Sequence, residues 1–180
     1  RQDSVELFAA IESGTFAGCA FIITKSGKAM LAVPGQSKLK KLTFNGDTSS
    51  LKMDAGAVLS RPGPDGQFVF SSDGYSLQLL QLQGDPEEPQ LAGMDGAQRL
   101  SAPVKAILPW TQINAPLIVP MSDDQAPFFY DLTNGRKFQW LDQTLRTRWG
   151  QLENPSANLT PDGKRLLIAS DNKLQMFHLS

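Results

Sequence analysis

A strand–turn–strand unit that recurs along this chain restricts its possible folds more than any other feature. The last copy spans residues 157–179 and holds an apolar run at 166–169 between two polar turns. The first turn, 161–163, reads Pro-Asp-Gly: proline presets φ, aspartate caps the backbone and glycine takes a positive φ. The second turn, 170–172, leads into alternating apolar residues. This pattern predicts antiparallel strands joined by tight turns.

Three earlier segments repeat the unit. The predicted strands are 19–24, 29–33 and 39–44 in the first copy, 56–60, 67–71 and 75–82 in the second, and 115–121, 127–131 and 137–141 in the third. The turn residues Gly27 and Gly66 are 39 positions apart, as are Asp124 and Gly163. A period of about 40 residues with three or four strands per unit is typical of propeller blades. The alternative is a β-meander whose turns are evenly spaced by chance.

A longer interval separates the second and third copies. Gly66 and Asp124 are 58 positions apart, which predicts an insertion of 19 residues around 84–109. Its acidic stretch at 85–89, Asp-Pro-Glu-Glu-Pro, cannot continue a strand and is predicted to be an exposed loop. A solubilising connector is a simpler interpretation of this loop than a docking motif.

Parts of the repeats resemble known propeller proteins. The Pro-Asp-Gly turns at 161–163 and 64–66 are similar to the Ser-Pro-Asp-Gly-like turn of TolB and WD40 repeats. The segment 129–140, FYDLTNGRKFQW, resembles a quinoprotein-type blade: a strand, Asp, a turn with Thr and Gly, and a strand ending in Trp. The resemblance covers four short repeat segments. It implies an all-β fold of four propeller-like blades of antiparallel strands.

We expect a single propeller-like domain over 1–180, with repeat units at about 15–55, 56–111, 112–150 and 151–180. A partial propeller is favoured over a closed four-bladed ring, because the chain begins at Arg1 rather than methionine and neighbouring blades can have been lost with a fragment. A short N-terminal helix is predicted over 3–14, where Asp3 and Glu6 have capping-box spacing and Gly14 can stop the helix. The alternative for this segment is a strand that completes another blade.

The composition excludes several classes of partner and site. The net charge of −1 argues against a general nucleic-acid binder, and no apolar run approaches the ~20 residues of a membrane span. Cys19 is the single cysteine, so it forms neither an internal disulfide nor a metal cluster and is expected in the core. No cofactor is predicted, and the sequence does not indicate a compartment.

Catalytic and metal-ligating candidates are few. His178 is the single histidine and is expected to be a packed or edge residue rather than a general base. Asp73, Asp123 and Asp124 could bind Ca²⁺, but each lies where a turn uses aspartate to cap its own backbone. We therefore predict no catalytic and no metal site, and interpret the chain as a non-enzyme.

Charged and aromatic residues indicate where partners could bind. Lysines make the first unit basic and are expected to protect an exposed strand from aggregation rather than to bind an anion; they are Lys25, Lys28, Lys38, Lys40 and Lys41. Among the aromatic residues of the second half, Trp110, Trp149 and Tyr130 are predicted to anchor a protein partner.

These observations favour a non-catalytic protein–protein interaction or scaffold module within a larger protein or assembly. Oligomers could form through open sheet edges. The alternatives are an accessory propeller domain of an enzyme whose active site lies outside this chain, and a propeller that binds a small ligand or Ca²⁺.

Overall fold

A computed structural model of the chain describes residues 3–44, 51–60, 62–63, 66–93, 98–108, 116–122, 125–132, 136–138, 149, 156–160, 162, 164–170 and 173–178. Within these residues the strands pair into four antiparallel sheets that follow one another along the chain. The backbone divides into two compact units, Arg1–Ser101 and Ala102–Ser180. Sheets 1 and 2 belong to unit 1, and sheets 3 and 4 belong to unit 2. The prediction of an all-β fold with four antiparallel sheets is confirmed.

Sheet 1 is a simple meander. Its strands, in spatial order, are β1 (Val5–Ala10), β2 (Ala20–Thr24), β3 (Ala29–Ala32) and β4 (Lys40–Lys41). The turn between β2 and β3 depends on Gly27, whose φ of 84° belongs to the left-handed region that favours glycine. Phe21 on β2 is paired with Leu31 on β3, and both side chains are fully buried.

Sheet 2 repeats this order. It consists of β5 (Val58–Leu59), β6 (Gln67–Ser71), β7 (Ser76–Gln83) and β8 (Gln90–Gly93), and β9 (Gln98–Arg99) also pairs with β7. The turn between β6 and β7 is closed by Asp73, whose Oδ1 accepts hydrogen bonds from the backbone N–H groups of Tyr75 and Ser76, both at 2.8 Å. This is the local bond that makes aspartate favourable in turns.

One apolar core joins the two sheets of unit 1. The rings of Phe21 on β2 and Phe68 on β6 have centroids 4.6 Å apart, and neither side chain is exposed. Leu31, Leu80 and Leu91 belong to the same cluster. Because neither sheet can bury its apolar face alone, the sheets are stabilised by packing on each other.

Unit 2 contains the other two sheets. Sheet 3 comprises β10 (Val104–Leu108), β11 (Leu117–Pro120), β12 (Phe128–Asp131) and β13 (Arg136–Phe138). Sheet 4 comprises β14 (Ser156–Leu159), β15 (Arg165–Ser170) and β16 (Lys173–His178). Their shared core is one cluster of buried residues, namely Leu108, Leu117, Val119, Trp149, Leu159, Leu166 and Ile168.

The prediction of an N-terminal helix was wrong. The segment forms strand β1, which pairs with β2 and so belongs to sheet 1 itself rather than to another blade. Leu7, Ala9 and Ile11 alternate toward the core, whereas Phe8 between them is exposed. Residues four positions apart, such as Leu7 and Ile11, lie on one side of a helix and also on one face of a strand. The burial of this face of sheet 1 favours the strand.

The turn residues that are 39 positions apart precede strands that occupy different places in their sheets. The strand after Gly27 and the strand after residue 124 are each third in their sheets, whereas those after Gly66 and residue 163 are second. Equivalent second strands begin at Ala20, Gln67, Leu117 and Arg165. From 20 to 67 is 47 positions, from 67 to 117 is 50 and from 117 to 165 is 48. The sheets thus recur with a longer and more regular spacing than the turn residues suggested.

The described part of the predicted insertion at 84–109 contains three strands. β8 completes sheet 2, β9 extends it, and β10 opens sheet 3. Its acidic loop is ordered by Asp85, whose Oδ1 accepts hydrogen bonds from the N–H groups of Glu87 at 2.8 Å and Glu88 at 3.0 Å. The loop contacts sheet 1, because Lys40 Nζ donates to the Glu87 backbone oxygen at 2.7 Å.

Candidate interaction surface

Strand β16 presents large apolar side chains to solvent. β16 and β15 pair without interruption from Arg165↔His178 to Ser170↔Lys173. Leu174 and Met176 lie on the face opposite the core and are 70% and 52% exposed. Residues directly paired across antiparallel strands share a face, so Leu174 lies beside Ala169 and Met176 beside Leu167.

We call these four residues (Leu167, Ala169, Leu174 and Met176) the β16 surface. Met176 and Leu174 are two positions apart on one strand, and their β15 neighbours are two positions apart as well, so the four side chains form a contiguous apolar patch. Scattered exposed apolar residues are ordinary in proteins, whereas contiguous exposed apolar patches are typical of interaction sites.

β15 and β16, the strands that form this surface, carry basic side chains but no carboxylate. Arg165 begins β15, and Lys173 and His178 bound β16. Arg165 and His178 are paired, so both lie at the same end of the β16 surface. A nearby carboxylate, Asp162, lies in the turn before β15. Its pKa is lowered by hydrogen bonds from the Thr160 hydroxyl and the Lys164 N–H, and by the positive charges of Lys164 and Arg165.

Four of the other described edge strands carry features that discourage strand addition. β1 and β10 each contain a register shift, between Val5 and Leu7 and between Val104 and Ala106. β4 and β5 are two residues long, and β4 consists of Lys40 and Lys41. Short strands, bulges and lysines are the usual protection of sheet edges. β16 is six residues long, regularly paired and apolar on its exposed face.

The edge of sheet 2 is protected in another way. Phe44 forms a parallel bridge with Leu91 of β8, and the Leu91 N–H donates to the Thr43 carbonyl at 3.0 Å. The chain that leaves sheet 1 therefore covers this edge. In the described residues, no comparable segment lies along β16.

Two of the predicted anchor residues are buried. Trp149 is 2% exposed and lies in the core cluster of unit 2; Tyr130 on β12 is 6% exposed, and burial raises the pKa of its hydroxyl. Trp110 lies outside the described residues. The role of these three residues as partner anchors stays a prediction.

Sequence reasoning did not single out the residues of the β16 surface. In the sequence, Leu174 and Met176 are distinguished only by the alternation of a strand. The signal that could have identified them is the apolar character of both faces of β16: Phe177 packs on the core while Leu174 and Met176 lie on the other face. A strand with apolar residues on both faces is expected to be covered on both.

Further exposed apolar residues lie elsewhere. Val5 and Phe8 are exposed on β1, Leu39 precedes β4, and Met121 follows β11. Phe8 lies on β1, whose pairing with β2 contains a register shift, whereas the strands of the β16 surface are regularly paired. We treat these residues as separate contact points and not as parts of one surface.

The polar residues considered for chemistry have local roles. The Asp73 carboxylate is held by the N–H groups of Ser76 and Tyr75, which lower its pKa, and Arg99 Nη1 lies 3.4 Å from its Oδ2. Cys19 is buried in the core of unit 1, and burial raises the pKa of its thiol. His178 is exposed at the end of β16. Asp123 and Asp124 lie outside the described residues.

In the part of the chain that the structure describes, no three histidine, cysteine or acidic side chains come together to hold a metal ion. Among the same residues, no helix has the length and apolar character needed to cross a bilayer.

The lysines of unit 1 are partly engaged in ion pairs. Lys40 Nζ lies 3.1 Å from Glu87 Oε2, and Gln36 Nε2 donates to the other carboxylate oxygen of Glu87 at 2.9 Å. Lys28 Nζ lies 3.7 Å from Asp3 Oδ2, and this carboxylate also accepts hydrogen bonds from Thr24 and Ser26. These pairs attach loops to sheet 1 and do not form a pocket for an anion.

Comparison with known proteins gives likeness in structure alone. No protein-family model and no curated protein matches the sequence. Among solved structures, Hsv2p from Kluyveromyces lactis is similar over 99% of this chain and 50% of its own, with 18% identity and a TM-score of 0.56. The WD40 domain of SCAP from fission yeast is similar over 97% and 42%, with 13% identity and a TM-score of 0.56.

A third structure, YCF48 bound to D1 peptide, is similar over 98% of this chain and 50% of its own, with 15% identity and a TM-score of 0.51. The chain thus spans about half the length of the structures that it matches. At this level of identity the likeness establishes the fold and no activity. The predicted resemblance to β-propeller proteins is confirmed at the level of the fold: the described sheets are similar to the blades of these structures.

Proposed function

We propose that this chain is a non-catalytic protein–protein interaction or scaffold module that acts within a larger protein or assembly. The observation that carries the proposal is the exposure of Leu174 and Met176 on a regular edge strand. Burying such side chains contributes roughly 1.5–3 kcal/mol each when they become fully covered. A protein surface that covers both would therefore gain binding energy from a small contact.

The propeller-like architecture supports the same proposal. Repeated sheets supply rigid edges and loops, and propellers present these to many kinds of partner. The proposal includes the interpretation of residues 1–180 as one propeller-like domain with four repeat units. Because Trp149 and Tyr130 are buried, the β16 surface is a better candidate anchor than either of them.

Site-specific photocrosslinking in an extract of the cells of origin would test the proposal. A photoreactive residue replaces Met176 in one variant, Phe8 in a second and Lys52 in a third; Lys52 serves as the control because its side chain is 80% exposed but polar. We expect a discrete adduct with a protein from position 176, and none from position 52. If no apolar position exceeds the control, the chain is not an interaction module of this kind.

Trp110 is tested separately. A Trp110→Ala variant that retains its fold and loses the same adduct would make Trp110 a second anchor. Retention of the adduct at the original yield would remove Trp110 from the proposed site.

A further inference from the structure

We propose that β16 receives an additional antiparallel strand from a protein partner, and that this strand is an extended segment with alternating aliphatic side chains and acidic residues at its ends. The inference rests on the proposed function and specifies how the partner binds. In the described residues sheet 4 has three strands, whereas sheets 1 and 3 have four each.

The geometry of β16 suits strand addition. Six consecutive pairs with β15 keep the strand extended and without a bulge, so its outer edge offers N–H and C=O groups at the regular spacing of a sheet. Addition of an extended peptide to such an edge obtains its affinity from main-chain hydrogen bonds and its specificity from alternate side chains. The described edge strands with bulges, two-residue lengths or lysines do not offer this template.

The side chains of β16 indicate what the added strand carries. On the face opposite the core, Leu174 and Met176 would contact aliphatic side chains at every second position of the partner strand. Lys173 and His178 at the two ends of β16, with Arg165 paired to His178, favour carboxylates at the ends of that strand. β15 and β16 carry no carboxylate that would repel them.

A synthetic peptide provides the probe. The sequence Glu-Thr-Val-Thr-Val-Glu, blocked at both ends, alternates hydroxyl and aliphatic side chains between two acids. Paired antiparallel with β16, it places its glutamates opposite His178 and Lys173 and its valines opposite Met176 and Leu174. A matched peptide with proline in place of both threonines keeps the charges but removes N–H groups and the strand geometry. Both are titrated into the full 180-residue chain while backbone amide signals of β16 are followed by NMR.

We expect the alternating peptide to bind, to slow hydrogen exchange of β16 amides and to leave β6 amides unchanged. The proline peptide is expected not to bind. In the protein, Leu174→Ser with Met176→Ser should weaken binding at least about tenfold, because two apolar contacts are lost and no charge is added. The control Phe8→Ser changes an apolar residue that is 66% exposed on a different edge strand and should leave the affinity unchanged.

Three outcomes would overturn the inference: no binding of the alternating peptide below about 1 mM, equal binding of the proline peptide, or concentration-dependent pairing of β16 with a second copy of the chain. Photocrosslinks from position 8 combined with no peptide binding at β16 would reject strand addition while leaving the interaction module standing. Absence of both would reject the two proposals together.

Discussion

At the residue scale, the turn glycines differ in what surrounds them. Gly27 and Gly35 both have a positive φ, 84° and 78°. A Cβ at Gly27 would lie 1.9 Å from the Leu51 carbonyl oxygen, whereas a Cβ at Gly35 would meet nothing within 4 Å. The Leu51 N–H also donates to the Gly27 oxygen at 2.8 Å. The positive φ therefore favours glycine at both positions, whereas the close approach of the Leu51 backbone requires glycine only at Gly27.

We expect Gly27→Ala to destabilise the protein more than Gly35→Ala. Both variants incur the left-handed backbone cost of about 1–2 kcal/mol, and Gly27→Ala must in addition displace the backbone at Leu51. Urea unfolding of the two variants and the parent measures the difference in free energy of unfolding. Equal losses would show that the contact with Leu51 does not constrain Gly27.

Three carboxylates make stability depend on acid pH. Hydrogen bonds lower the pKa of Asp73 in the folded state, and those from Ser26 and Thr24 do the same for Asp3, as does the Thr160 hydroxyl for Asp162. A group with a lowered folded pKa stabilises the fold above its unfolded pKa of about 3.9 and loses that contribution as pH falls through the folded value. Stability should therefore decline below about pH 4.

The variant Asp73→Asn separates one of these contributions. Asparagine keeps an oxygen that can accept from the N–H groups of Tyr75 and Ser76 but cannot titrate. We expect a shallower decline of the thermal midpoint below about pH 4 than in the parent. An identical decline would mean that Asp73 does not contribute to the acid sensitivity.

At the element scale, pairs of sheets are stabilised through shared cores. Phe21 on β2 packs on Phe68 on β6, and the same cluster includes Ala9 on β1 and Leu91 on β8. Each of the two sheets therefore contributes one face to a common interior. A change in that interior should affect both sheets at once.

We expect Phe21→Ala to lower the free energy of unfolding by about 3–5 kcal/mol, the usual range for removing a buried phenylalanine. Hydrogen exchange should accelerate in β2 and in β6 together. Phe8→Ala is the matched control, because Phe8 is 66% exposed on the adjacent strand and its removal should change stability by less than about 0.5 kcal/mol. Acceleration confined to sheet 1 would contradict a shared core.

The strands that sequence reasoning identified best are those with strong turn chemistry on both sides. The runs at 67–71 and 166–169 lie between turns rich in glycine, aspartate and serine, and both form strands. β1 was misassigned because capping-box spacing at Asp3 and Glu6 imitates a helix start, while the Asp3 carboxylate instead accepts hydrogen bonds from Thr24 and Ser26. The sequence cannot show this competition, since both partners are more than 20 positions away.

The candidate surface was harder to anticipate than the fold. The size of aromatic residues favours them as anchors, yet Trp149 lies in the core cluster of unit 2 and Tyr130 is buried as well. Large rings gain most from burial, so size alone does not distinguish an anchor from a core residue. The alternation of side chains along β16 does not show which of its two faces is covered, because this depends on how the sheet packs.

At the scale of the whole molecule, the described residues include two core clusters, one in each unit. The cluster around Phe21 draws its residues from unit 1, and the cluster around Leu166 draws its residues from unit 2. Cooperative opening generally follows such contiguous cores. A substitution in one cluster is thus expected to lower amide protection first in the unit that contains this cluster.

The variant Leu166→Ala tests this expectation. Leu166 is fully buried, so its truncation should cost about 2–5 kcal/mol. We expect the amide protection of β14, β15 and β16 to fall by more than that of β2 and β6. Equal loss of protection in both units would show that they open as one cooperative body.

A single thiol within the first interior gives this chain an internal reporter. Cys19 is packed beside the rings of unit 1, and burial keeps it in its unreactive, protonated form. A thiol reagent can modify it only when that interior opens. The labelling rate therefore reports how often the interior around Cys19 opens, without any probe having to be introduced.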